Sequence, residues 1–262
     1  MIYVILPAYN EEKSFESLFD KIKHYFEEEY PSDYHIIVCN DGSKDRSAEI
    51  LDGYKDSLPL TILTHKINRG LGETMRDLFE YVSEISDPSD IIIRMDCDDT
   101  HEPQFIKGLI EKINEGNDVV IASRFVEGGS GGEGLNFFRT FISNGAQLFM
   151  RIFFPIKGLK EYSSGFRAYR ASSVKFAVEQ FGNSFIQLKG LGFTCTLEKI
   201  VKFKILNAKF AEAPFVLKYD QKVSESKMVS SITTFGYLTL AVLYHWPWGG
   251  WKSQYKNKAK LH

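Results

Sequence analysis

Asp96 and Asp98 stand one residue apart in Met95-Asp96-Cys97-Asp98, directly after the apolar run Asp90-Ile91-Ile92-Ile93-Arg94. Such a β-branched run reads as a buried strand, so both carboxylates fall where a strand enters a loop. Hard oxygen ligands at that spacing can converge on one divalent cation, magnesium or manganese, that also carries a diphosphate. The structural alternative is a solvated loop start, since acidic residues are usually exposed.

Three earlier loops carry compatible chemistry. Residues 2–6 end in Pro7-Ala8-Tyr9-Asn10-Glu11, a rigid turn presenting an aromatic ring and a carboxylate. It suits a base or ribose, or serves as a proline turn with Asn10 capping the next helix. Asn40-Asp41-Gly42-Ser43-Lys44-Asp45 places Asp41 where it could accept from a uracil or guanine edge; an Asx turn with a helix cap is the structural alternative. Asn68-Arg69-Gly70-Leu71-Gly72 forms a glycine turn at a helix start, where the backbone can approach a ligand closely and anions are attracted.

The elements that must position these loops follow from hydrophobic patterning. Strands are predicted at residues 2–6, 35–39, 60–64, 90–95 and 118–122, with helices between them. That alternation implies parallel strands joined by crossover helices, an α/β fold whose ligands bind beyond the carboxyl ends of the strands. Pro103 suits the first turn of the helix after the acidic loop, where its missing N–H costs nothing.

At 262 residues, 44% apolar and a net charge of -2, the chain suits one large domain, or a domain with an appendage. We place the catalytic domain at 1–230 and an aromatic helix with a basic tail at 231–262. The near-neutral charge gives no nucleic-acid footprint. Cys39, Cys97 and Cys195 lack metal-ligand spacing and read as reduced thiols in or near the core, which favours the cytosol. Met1 to Pro7 does not read as a signal peptide, and no apolar run reaches the roughly 20 residues of a membrane span. A homo-oligomer is compatible with this composition.

The four loops, in that order on successive strand ends, resemble those of inverting family 2 glycosyltransferases, which implies a GT-A fold. The resemblance extends through Ser123-Arg124, Arg139 with Ser143, Ser164-Gly165-Phe166-Arg167, Gly190 to Glu198, Ala213-Pro214-Phe215 and Ser224-Glu225-Ser226-Lys227. That set is similar to dolichol-phosphate mannose synthase and related polyprenyl-phosphate glycosyltransferases. The resemblance implies that Pro7, Tyr9, Glu11, Asp41, Arg69, Gly70, Asp96 and Cys97 hold a nucleotide sugar, linked through GDP or UDP. Asp96 and Asp98 would bind Mg2+ or Mn2+, and Arg124, Arg139, Ser143, Ser164, Arg167 and Lys227 would face the acceptor phosphate. One departure concerns the metal. The polyprenyl branch often has Gln two residues beyond the second Asp, whereas Thr100 stands here, able to ligate through its hydroxyl or through water. Asp99 adds an acidic neighbour, and His101 reads as a neutral helix-start histidine bonded to backbone, with a metal ligand as the alternative.

The implied reaction moves a sugar, mannose or glucose, to polyprenyl phosphate with inversion. A leaving nucleotide diphosphate gains charge that a divalent ion stabilises. A phosphate acceptor is already anionic and needs no base, whereas a sugar hydroxyl normally does. In Glu161 to Arg167 the one carboxylate is Glu161, so this region is expected to bind an anion, with Glu161 the alternative base. Two other functions stay open: transfer to a saccharide or lipid-linked glycan hydroxyl in cell-surface polysaccharide assembly, and a silent sugar-nucleotide-binding subunit.

A lipid-linked acceptor would require a membrane surface. Residues 232–248 are apolar and aromatic and are broken by Pro247, and Lys252, Lys256, Lys258 and Lys260 follow without acids. This suits an interfacial helix with a tail drawn to anionic lipid, hence a peripheral position at the inner face of the membrane; a core or dimer helix is the alternative. The glycine-rich stretch 127–134 reads as a lid or a linker.

Overall fold

The computed structural model describes residues 1–31, 33–130, 137–217 and 230–262, the side chains of 137–144 and 230 excepted. In chain order the elements are β1 (Ile2–Ala8), α1 (Phe15–Glu29), β2 (Tyr34–Asn40), α2 (Ser47–Tyr54), β3 (Leu60–Thr64), α3 (Leu71–Ile85), β4 (Ile91–Arg94), α4 (Ile106–Asn114), β5 (Val119–Ser123), α5 (Phe137–Phe153), β6 (Arg167–Arg170), α6 (Ala171–Phe181), α7 (Thr194–Ile205), β7 (Phe210–Pro214), α8 (Ser230–His245) and α9 (Gly250–Gln254).

One sheet runs in the order β3-β2-β1-β4-β6-β5-β7. All its pairings are parallel except those of β6, which lies antiparallel to β4 and β5. Each predicted strand is present within a residue or two. The strands β6 and β7 were not anticipated, because four- and five-residue strands with an Arg at each end or a Pro at the end lack a clear apolar period.

Period-2 alternation divides the core. Ile5, Ile37, Ile92, Ile121 and Tyr169 face one layer with α3, α6 and α7, while Val4, Leu6, Ile36, Ile93, Val120 and Ala168 face the other with α1 and α4. The three cysteines are free and buried, as expected.

The C-terminal segment packs onto the first layer. Leu240, Tyr244, Trp251 and Tyr255 belong to the same cluster as Val201 and Phe203 of α7. Trp251, Tyr255 and Phe181 enclose the Lys202 ammonium, 3.7, 4.7 and 4.8 Å from the ring centroids. The chain end is tied down as well: Leu261 N donates to Leu206 O at 2.9 Å, and His262 Nε2 lies 2.8 Å from Asp118 Oδ2. Residues 231–262 are therefore joined to the body of the fold rather than appended to it.

Candidate active site

The carboxyl ends of β1 and β2 are stitched together by side-chain to backbone bonds. Asn10 N donates to Ser43 Oγ and Glu11 N to Ser47 Oγ, both at 2.9 Å, while Lys44 N and Arg46 N donate to Asn10 Oδ1 and Glu12 Oε2 at 2.8 and 2.9 Å. Asn10 thus accepts from the neighbouring loop instead of capping α1, and it adopts φ 52° to do so. Pro7 ends up paired with Cys39 inside the sheet, and Glu11 is buried beside Ser14.

Asp41 organises the third loop. Its Oδ1 accepts from Arg69 N at 2.8 Å and faces His65 Nδ1 at 2.6 Å, and its Oδ2 accepts from Gly70 N at 2.8 Å. Gly70 takes φ +86°, which favours glycine, so that its N–H can point back at this carboxylate. The second ring nitrogen of His65 lies 2.9 Å from Asp77 Oδ2. The Arg69 guanidinium pairs with Asp77 and Glu73 at 3.0 and 3.3 Å. Asp41 therefore builds the loop first, and Oδ2, which accepts from Gly70 N where Oδ1 meets both Arg69 N and His65, is the oxygen better placed to receive a base edge.

The acidic loop sorts its carboxylates by direction. Asp99, at φ 61°, turns away to Ser17 Oγ at 2.7 Å and Lys21 Nζ at 3.0 Å, so it is not part of a metal sphere here. Cys97 points into the core, where burial holds its thiol well above the ordinary value; only its backbone can line a nucleotide site. Asp96 pairs with Arg94 Nη2 at 2.5 Å. Asp98 Oδ1 accepts from Thr100 Oγ1 at 2.6 Å, so Thr100 orients the carboxylate expected to bind metal. His101 Nδ1 accepts from Asp96 N at 2.9 Å, its Nε2 lies 3.5 Å from Asp96 Oδ2, and its ring stacks on Phe166 at 5.0 Å, so the expected bond to backbone is present.

Just before β6, Glu161 is fully buried. It accepts from Arg124 Nε at 2.8 Å, from Gln147 Nε2 and Ser163 Oγ at 2.7 Å each, and from Ser164 N at 3.2 Å. Both carboxylate oxygens are thus engaged by donors of the fold. The pair also corrects the picture of Arg124 as an open phosphate ligand. Its Nη2 reaches Ser163 Oγ at 3.3 Å, but its charge is committed to Glu161 at 2.8 Å.

Arg167 differs most from expectation. It is 1% exposed, with Nη1 on Thr196 O at 2.7 Å and Nη2 on Tyr162 O at 2.9 Å. It is thus not a surface clamp, and only Nε lacks a partner among the described residues. Arg139 and Ser143 lie on α5 with side chains outside the described residues, and Lys227 also lies outside them.

Arg94 was missed as a site residue, although a lone base inside an all-apolar strand was its signal. Gly165 sits directly on it, since a Cβ there would overlap the Arg94 Nη1 position and stand 3.2 Å from Asp96 Oδ2. His65 was missed too, because nothing local links residue 65 to residues 41 and 77.

A mostly parallel sheet with acidic and glycine loops at its carboxyl ends, and one antiparallel strand beside the acidic loop, defines a GT-A glycosyltransferase fold. The model for glycosyl transferase family 2 matches residues 3–176, and the chain belongs to that family. Among curated proteins it is 32% identical to dolichol-phosphate mannosyltransferase of Pyrococcus furiosus over 238 residues, covering 90% of this chain and 61% of that protein. The chain thus spans about three fifths of that relative's length. It is 25% identical to polyprenol monophosphomannose synthase of Mycolicibacterium smegmatis, covering 87% of this chain and 81% of that protein. Among solved structures, glucosyl-3-phosphoglycerate synthase from Mycobacterium tuberculosis, determined with Mn2+, UDP and glucosyl-3-phosphoglycerate, aligns with a TM-score of 0.59 and 18% identity. That alignment covers 93% of this chain and 78% of that one, and it supports the fold alone.

Proposed function

We propose that the protein transfers a hexosyl group, mannosyl by analogy with its curated relatives, from a nucleotide-diphosphate sugar to a polyprenyl phosphate, with inversion. The observation that carries this reading is the state of Glu161, a fully buried carboxylate ringed by Arg124, Gln147 and Ser163. Glu161 is thus engaged by donors rather than open as a base, which suits an acceptor that is already anionic and needs none.

The first loops would hold the nucleoside: Tyr9 and Glu11 beside the β1 end, Asp41 through Oδ2, and residues 69–70 through backbone. Asp96, Asp98 and Thr100 supply only hard oxygen donors, which fits magnesium or manganese. Among the described residues no group of three or more acidic, His or Cys side chains is placed to cage a metal, consistent with an ion held by one or two carboxylates and substrate phosphates. When bound, such an ion would offset charge on the departing diphosphate. Thr100 and Arg94 would meanwhile hold Asp98 and Asp96 in place, and Arg124 with Ser163 would orient the acceptor loop.

We place the enzyme at a membrane surface. Among the described residues no helix is long and apolar enough to cross a membrane. Ile232, Phe235, Leu238 and Val242 instead form an exposed stripe along α8, extended by Trp246 and by Trp248 at 93% exposure. Lys258 and Lys260 donate to Gln180 O and Ile205 O, which leaves Lys252 and Lys256 as the exposed bases best placed to meet anionic headgroups.

The test is a partition assay with polyprenyl phosphate, divalent ion and a panel of labelled sugar nucleotides. Metal-dependent movement of label from one donor into organic solvent is expected. Transfer only to a saccharide acceptor would overturn the reading.

A further inference from the structure

Asp41 meets a base with most of its accepting capacity already used. An ionised carboxylate offers about four lone-pair positions and no donor. Arg69 N and His65 Nδ1 take Oδ1 at 2.8 and 2.6 Å, and Gly70 N takes Oδ2 at 2.8 Å. The position that remains is on Oδ2.

The loop is braced against releasing another. Asp41 N donates to Ala8 O at 2.8 Å and His65 N to Asn40 O at 2.9 Å, which fixes both backbones at the strand ends. Residues 67 and 68 lie directly on Gly42, where a Cβ would stand 2.4 Å from Ile67 C and 2.6 Å from Asn68 N. The Asp41 side chain is 4% exposed, so a ligand reaches the carboxylate over a small area.

Of the three donors on Asp41, two are backbone amides and the third is His65. A carboxylate accepts only, so the ring donates to it through Nδ1–H. The ring is also held from behind, with Nε2 2.9 Å from Asp77 Oδ2 and 3.6 Å from Cys39 Sγ. Asp77 is fixed in turn by Arg69 Nη1 at 3.0 Å and Arg76 Nη2 at 2.8 Å. Engaged at both nitrogens, the ring stays on Oδ1.

The two candidate bases differ in how many donors they bring to such a carboxylate. A uracil edge has one imide N–H between two carbonyl oxygens. A guanine edge has adjacent N–H groups on N1 and N2, which a free carboxylate meets with both oxygens at once. With Oδ1 filled, the second guanine N–H is left without an acceptor, and an unmet buried donor is costly.

We propose that His65, braced by Asp77, is a positioning residue that selects the donor base: by filling Oδ1 it leaves Asp41 one accepting position, which suits the single N–H of uracil and disfavours guanine. This rests on the nucleotide-sugar reading above and narrows the donor to a UDP-linked sugar. The selection acts through Asp41, and His65 itself touches no substrate.

The full chain, as wild type, His65→Leu and His65→Gln, is titrated with UDP and with GDP by calorimetry in the presence of Mg2+. Wild type is expected to bind UDP about tenfold more tightly than GDP, the scale of one unmet donor. His65→Leu frees Oδ1, so its preference is expected to fall close to parity, chiefly through stronger GDP binding. His65→Gln can still donate an amide N–H to Oδ1 and should keep most of the preference. A merely structural histidine would weaken both nucleotides alike and leave their ratio unchanged, which overturns the proposal. Tighter binding of GDP than UDP by wild type also overturns it, while the transferase reading stands. Should His65→Leu not fold, Asp77→Ala decides, since loss of the brace is expected to narrow the same ratio and an unchanged ratio refutes the role. Failure of wild type to bind either nucleotide removes the donor reading, and this selection with it.

Discussion

The two sides of the cleft are built on different electrostatic terms. On the nucleotide side, around β1, β2 and β3, loops are tied by bonds already made: Asp41 to residues 69 and 70, Asn10 to Lys44, and His65 between Asp41 and Asp77. Around β4 and β6, the buried atoms Arg94 Nη1, Arg167 Nε and Ser164 Oγ stand without a hydrogen-bond partner among the described residues. The first side is preorganised by its own bonds, whereas the second leaves buried donors unpaired among the described residues. The difference fits a donor site that must fix one geometry before the second substrate arrives.

The sharpest way to break this comparison is at the acidic loop between the sides. Asp98→Asn is expected to lower kcat by roughly 10²–10³ while leaving the fold intact, as read by steady-state transfer beside circular dichroism. Full activity would remove Asp98 from the chemistry. Glu161→Gln comes next. Breaking one partner of a buried pair costs about 3–5 kcal/mol, so melting temperature and turnover are expected to fall together. Loss of turnover at an unchanged melting temperature would return Glu161 to the role of base and erase the contrast.

Gly165→Ala tests the support of Asp96: its methyl would press on Arg94, at an overpacking cost of about 1–3 kcal/mol, so the melting temperature should fall and nucleotide binding, read by calorimetry, should weaken through Asp96. A smaller effect concerns pH. Lys199 and Lys202 both lie near 8, first through burial, below the ordinary lysine value of 10.5. Because the folded form gives up these protons first, the unfolded chain binds more protons between about pH 8 and 10.5, and stability should rise with pH in that window. The destabilisation is fully present below pH 8. Denaturant titrations of wild type and Lys199→Met across it should show a shallower rise in the variant. Smallest of all, Trp248→Ala should reduce flotation with anionic vesicles without altering turnover on a short-chain soluble acceptor.

The amino-acid sequence by itself determined the strand and helix alternation of the first half, the order of the four loops at strand ends, and the burial of the three cysteines. These are local signals, carried by period, turn residues and short spacing. The directions of Asp99 and His101 show where local reading thins out. His101 met its expectation because its partner, Asp96 N, is five residues away, whereas Asp99 turned to Ser17 and Lys21, about eighty residues earlier in the chain. Only the tertiary structure decided that Arg167 is a buried residue holding carbonyls, that Glu161 is neutralised by Arg124, and that Arg94 faces Arg167 across a strand pair. It also decided that the basic tail returns to the core. The physical reason is the same in each case. The cost and value of a charge depend on what surrounds it, and strand β6, which brings the distant residues together, runs antiparallel among parallel neighbours and carries no periodic signature of its own.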